Sequence, residues 1–111
     1  MKKIAIPVTN DMLDPHFGHC SRFYIYEIDE GKIVNEEHLE PPMHEPGLLP
    51  KWLGKLEVTD IIAGGIGSRA INLFNQNRIN VFAGAPKKPA GEIVKDFLEG
   101  SLELTGNYCD H

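Results

Sequence analysis

No stretch of this chain is apolar for the roughly twenty residues that a membrane helix needs, and basic residues are in the minority. Eleven lysines and arginines face sixteen aspartates and glutamates, a formal net charge of -5 over 111 residues. A nucleic-acid partner held through phosphate contacts is therefore not expected. Cysteine is scarce: Cys20 and Cys109 are too few for the disulfide framework of a small secreted domain. The apolar part of Met1–Pro7 is too short for a signal peptide, so a cytoplasmic protein with reduced thiols is expected. No Gly-x-x-x-x-Gly-Lys-Ser/Thr occurs, which excludes a P-loop, and no Cys-x-x-Cys pair occurs. Internal repeats and low-complexity segments are missing too. With 41% hydrophobic and 24% charged residues, the composition is that of one globular domain over residues 1–111.

What is present centres on Ile61–Ala70. Ile61-Ile62-Ala63 reads as a buried strand. Gly64, Gly65 and Gly67 follow, allowing a tight turn and a close backbone approach. Ala70, Ile71, Leu73 and Phe74 then give a helical stripe. A strand, a bare-backbone loop and a helix N-terminus in succession offer N–H groups and partial positive charge to an anionic ligand. Gly64, Gly65, Ile66, Gly67, Ser68 and Arg69 are the candidate residues, with the backbone N–H groups of Gly65–Ser68 as donors.

Along the chain, Ile4–Val8 reads as a first strand, Thr9–Gly18 as a loop and Arg22–Asp29 as a strongly patterned second strand. Asp29-Glu30-Gly31-Lys32 turns it back into Lys32–Leu39, whose Glu36 and Glu37 suit an exposed edge. Leu48, Leu49, Trp52, Leu53 and Leu56 follow helical spacing. Val58–Ala63 and Ile79–Ala83 are the fourth and fifth strands, with a helix over Gly67–Asn77 between them. Pro89 opens a third helix and Gly100 ends it. Helices acting as right-handed crossovers give an α/β fold of three layers, α/β/α. Its mixed sheet has five strands in the order 3-2-1-4-5, with the second antiparallel, as in a ribonuclease H-like motif. The first and fourth strands are then parallel neighbours at a topological switch point. The loops Asn10–Cys20 and Gly64–Arg69 should lie side by side at their carboxyl ends.

Three segments concentrate soft-metal donors: His16-Phe17-Gly18-His19-Cys20, His44-Glu45-Pro46-Gly47 and Cys109-Asp110-His111. Imidazole and thiolate suit zinc, copper, iron or sulfide clusters. The candidate ligands are His16, Cys20, His44, Cys109 and His111, with no need for all five at once. His38, on the edge strand, reads as a solvated face residue. Gly65-Ile66-Gly67-Ser68-Arg69-Ala70 fits the dinucleotide pattern, but the next strand ends Phe82-Ala83-Gly84-Ala85 without the required carboxylate. Hydrolysis is not favoured either. The first strand carries no carboxylate, Asp60 lies at the wrong end of the fourth, and Ser21 and Ser68 sit in no nucleophile motif. The chain is not read as an enzyme.

Ile4-Ala5-Ile6-Pro7, His16-Phe17-Gly18, Phe23-x-Ile25-Tyr26, Ile62-Ala63-Gly64-Gly65-Ile66-Gly67-x-Arg69-Ala70 and Leu98-x-Gly100-x-Leu102 together resemble the dinitrogenase iron-molybdenum cofactor biosynthesis family (the NifX and NifB C-terminal group). The resemblance covers nearly the whole chain. It implies a ribonuclease H-like fold without nuclease activity and the binding or carriage of an iron–sulfur or iron–molybdenum type cluster. Some small relatives hold a molybdenum–copper sulfide cluster instead, and a single transition metal is the further alternative for this chain. It also implies cluster donor and acceptor proteins as partners, and it leaves homodimerisation open. The family's histidine maps onto His16 and its cluster-facing glycine loop onto Gly64–Gly67. Glu57 and Arg78 stand where members often have glycine after a helix; Asn77 is expected to take the left-handed conformation in the second case. The alternative from another class is a small regulatory or protein-interaction module with the same fold and no metal.

Overall fold

The computed structural model describes residues 2–15, 17, 20–42 and 48–104. In chain order the elements are β1 (Lys2–Thr9), β2 (Met12–Leu13), β3 (Arg22–Asp29), β4 (Lys32–Leu39), α1 (Leu48–Lys55), β5 (Asp60–Ile62), α2 (Ser68–Gln76), β6 (Asn80–Phe82) and α3 (Ala90–Glu99). One mixed sheet runs β4-β3-β1-β5-β6, with β2 added beside β1. β1 pairs antiparallel with β3 and parallel with β5, and β5 pairs parallel with β6.

The sheet is buried on both faces because its central strands are apolar on both. Ala5, Phe23, Ile25 and Ile61 meet Leu49 and Leu53 of α1 and Phe74 of α2. Ile4, Ile6, Tyr26 and Ile62 meet Ala90, Ile93 and Val94 of α3. This is a mixed α/β fold with three helices among the described residues. No helix among the described residues is long and apolar enough to cross a membrane.

Two expectations are corrected. Thr9–Gly18 is not all loop, and the described strands number six rather than five. Asn10 and Asp11 both take positive φ, 55° and 63°. That pair of left-handed residues makes a two-residue hairpin turn, and Met12 and Leu13 fold back on Thr9 and Val8. The left-handed residue after α2 is Arg78 (φ 61°), not Asn77, whose φ is -96°. Asn77 instead donates its side-chain amide to the Leu73 carbonyl at 2.8 Å, which favours an ordinary backbone and passes the turn to the next residue. Glu57 after α1 is left-handed as well (φ 66°). Gly100 ends α3 at φ 75°, where glycine carries no Cβ penalty.

Candidate functional site

The carboxyl ends of β1 and β5 are the place where the loops meet. The Gly65 N–H donates to the Pro15 carbonyl at 2.8 Å, and the Phe17 N–H donates to the Gly65 carbonyl at 3.1 Å. Gly65 is thus tied to the residues on either side of position 16. Gly64 makes this approach feasible. A Cβ there would stand 3.2 Å from the Pro15 Cα and 3.2 Å from a Leu13 methyl. On its other side the Gly64 carbonyl accepts from the Gly84 N–H at 2.9 Å. The loop after β1, the glycine loop and the chain leaving β6 are therefore laced together through backbone.

Side chains hold the same corner. The Phe17 ring lies edge-on to Phe23 and to Phe74, with centroids 5.9 Å and 5.3 Å apart. It thereby keys the loop to both β3 and α2. The Thr9 hydroxyl donates to buried Asp14 at 2.8 Å, and the Asp14 N–H donates to the Pro7 carbonyl at 2.9 Å. The Tyr24 hydroxyl donates to the Asp11 carboxylate, and that bond raises the phenol above its ordinary range. The Leu13 N–H reaches the Lys88 carbonyl at 2.9 Å and the Ala90 N–H reaches the Asp11 carbonyl at 3.1 Å, tying the β1–β2 corner to the start of α3.

α2 begins at this corner. Its N-cap is Gly67, in ordinary extended geometry and with no side-chain cap bond. The first-turn N–H groups of a helix have no intrahelical acceptor; here they border the corner with exposed Ser68 and Arg69. The Gly65 N–H, expected as an anion donor, is committed to Pro15 instead. Among the described residues, the N–H groups of Ile66, Gly67 and Ser68 have no backbone acceptor.

Of the five candidate ligands, Cys20 is the one among the described residues. It is buried against the α1/α2 face of the core. Burial first, then the Asp14 carboxylate, push its thiol up from 9.0 to about 11. A metal at Cys20 would have to displace a firmly held proton. His16, His44, Cys109 and His111 lie outside the described residues, as do Gly18 and His19. Among the described residues, no group of three or more His, Cys, Asp or Glu side chains is placed to hold a metal ion. His38, expected to be merely solvated, stacks its ring on Tyr24 at 3.6 Å and 4° and brings Nε2 to 2.5 Å from Glu36.

Several of these features have little or no mark in the sequence. The Asn10-Asp11 turn does leave a signal, because two residues that tolerate left-handed geometry lie between Val8-Thr9 and Met12-Leu13. The bracket on Gly65 is backbone-to-backbone and leaves no mark in residue type. Phe17 belongs to the His16-Phe17-Gly18 motif, and its place as a wedge between Phe23 and Phe74 is set by the fold.

The model of the family described as "Dinitrogenase iron-molybdenum cofactor" matches residues 1–100 of this chain. An uncharacterised protein of Methanocaldococcus jannaschii is 40% identical over 108 residues, spanning 93% of this chain and 91% of that one. The crystal structure of PH0822 superposes with a TM-score of 0.87 at 30% identity, covering 95% of this chain and 96% of the other. The apo form of the orange protein from Desulfovibrio gigas shares the fold, with a TM-score of 0.76 at 20% identity over 96% of this chain and 95% of that one.

Proposed function

The chain belongs to the dinitrogenase iron-molybdenum cofactor family, and on that premise we propose that it binds or carries an iron–sulfur or molybdenum-containing cluster in cofactor assembly and catalyses no reaction itself. The observation that carries the reading is the corner at the carboxyl ends of β1 and β5. There the Pro15–Phe17 segment is bracketed on Gly65, next to the helix start at Gly67 that no side chain caps.

Each part has a physical task. The α2 terminus contributes N–H groups and positive potential toward an electron-rich sulfide cluster or oxyanion. Exposed Arg69 adds a full positive charge at the same place. Gly64 and Gly65 let two loops approach closely enough to form one wall. His16, Cys20, His44, Cys109 and His111 supply soft donor atoms in this reading. When bound, the cluster offers metal centres that accept thiolate and imidazole; the chain's share is to orient it and limit its exposure. The described residues fit the anionic side of such a group, through the uncapped helix and Arg69.

The ribonuclease H-like arrangement, the cytoplasmic setting and partners that donate and accept the cluster belong to the same proposal. Anaerobic purification from the native host, with elemental analysis and a visible spectrum, tests it. Iron or molybdenum with sulfide, in a fixed ratio to chain and with charge-transfer bands, is expected. Colourless, metal-free protein that is fully functional would favour an interaction module instead.

A further inference from the structure

The edge strand β4 differs from the rest of the sheet. Seven of its eight residues are exposed, and adjacent Ile33 and Val34 leave 43% and 57% of their surface in solvent. Two neighbouring β-branched apolar residues on an open edge are what edge strands ordinarily avoid. The pairing with β3 shifts register between Glu27 and Ile28, so Val34 is the extra residue of a bulge.

That extra residue reverses the alternation of side chains. Lys32, Asn35 and Glu37 stand opposite Asp29, Glu27 and Ile25 and share the sheet face toward α1 and α2. Ile33, Glu36 and His38 stand opposite Ile28, Tyr26 and Tyr24 and share the face toward α3. We propose that this edge pairs antiparallel with the same edge of a second copy, about a two-fold axis between Val34 and Asn35. In that register Lys32 meets Glu37 of the partner subunit on one face, twice by symmetry. Ile33 meets Glu36 of the partner subunit on the other face, and the exposed valines fall at the centre. Slipping by one residue would put opposed side chains on opposite faces. A register centred on Glu36 or Glu37 would set carboxylate against carboxylate. The bulge, usually a guard against indiscriminate edge pairing, here leaves one charge-matched register. The occupant is a second copy because this single strand carries both halves of the match, as an isologous contact requires.

Sedimentation equilibrium on the full chain, from about 10 μM to about 1 mM, suits the weak affinity of so small a contact. A monomer–dimer equilibrium is expected, with backbone amides of β4 gaining exchange protection as dimer forms. Lys32→Glu or Glu37→Lys alone should weaken the dimer about tenfold, since each turns two attractions into two repulsions. The double variant Lys32→Glu/Glu37→Lys should return to within about threefold of the parent, because the pairs are rebuilt with signs exchanged. Circular dichroism confirms that these exposed changes leave the fold intact. A chain that stays monomeric to about 1 mM, a concentration at which even weak contacts show, would overturn the proposal. So would a dimer indifferent to the single changes, or a double variant that does not recover.

Discussion

The two ends of the parallel strands differ in how much of their polar bonding runs through backbone and in whether a helix starts there uncapped. At the amino ends of β5 and β6, polar side chains satisfy one another. The Lys3 N–H donates to the Thr59 hydroxyl at 2.9 Å, that hydroxyl lies 2.7 Å from Asp60, and the Asn80 amide reaches the other Asp60 oxygen at 3.1 Å. Asp60 is only 2% exposed, and its two oxygens are both met. At the carboxyl ends the Thr9–Asp14 and Tyr24–Asp11 bonds are joined by backbone lacing that glycines permit, and α2 starts without a side-chain cap. A closed polar network serves folding. An end where the α2 start has no side-chain cap among the described residues, beside loops laced through backbone, suits the proposed ligand. Under the proposed function, stability and binding then fall at opposite ends of the sheet, as is common in open α/β sheets.

The largest contrast is expected at Cys20. With its thiol pushed up to about 11 from 9.0, the thiolate fraction at pH 8 falls by two powers of ten. Alkylation by iodoacetamide in the native protein should therefore be roughly 100-fold slower than in the urea-unfolded chain, read peptide by peptide by mass spectrometry. The sign for folding follows. The native state holds the proton more tightly, so this contribution is complete below pH 9.0 and is lost as the pH rises toward about 11. Native alkylation at the unfolded rate would show that the corner opens readily and is not the rigid wall described.

Asp60→Ala probes the other end. It removes a buried acceptor that the Thr59 hydroxyl and the Asn80 amide both use, and should cost about 2 kcal/mol in urea unfolding while leaving cluster affinity unchanged. Loss of binding with little loss of stability would invert the comparison. Gly64→Ala should cost about 1 kcal/mol, because its Cβ forces Pro15 and Leu13 to yield by a few tenths of an ångström. Its main effect should be on binding, by parting the two loops. Smaller still, Arg78→Gly should stabilise the chain by a few tenths of a kcal/mol, the relief of a left-handed residue set against the added freedom of glycine in the unfolded state. Binding should not change.

Much of the frame was legible in the residues. Arg22–Asp29 and Lys32–Leu39 alternate around a Glu-Gly turn, and both φ values there, 50° and 77°, are the left-handed pair such a turn needs. The apolar Ile4–Val8 and Ile61-Ile62 suit adjacent central strands, and β1 and β5 do pair in parallel. The glycine loop stood out because three glycines in four residues have few other uses. What escaped was set by pairing between distant segments. Gly65 spends its N–H on Pro15, which no residue type announces. Asn77 keeps an ordinary backbone because its amide finds the Leu73 carbonyl, so Arg78 turns the chain. The ring of His38 finds Tyr24 only because the hairpin register sets them opposite. For the proposed ligand set, sequence proximity cannot say which donors converge; that depends on how loops distant in sequence fold together.

The central claim is that the α2 N-terminus faces the bound group. Gly67→Asp tests it most directly, since Gly67 has a backbone any residue can adopt, φ -75° and ψ 155°. The new carboxylate would cap the first-turn N–H groups and repel an anion there. After anaerobic reconstitution with ferrous iron, sulfide and molybdate, metal bound per chain is measured for parent and variant, alongside urea unfolding. The account predicts that the variant is more stable by a few tenths of a kcal/mol and yet binds at least about tenfold more weakly, one full charge being opposed to the ligand at close range. A variant equally stabilised that binds metal as well as the parent would contradict it.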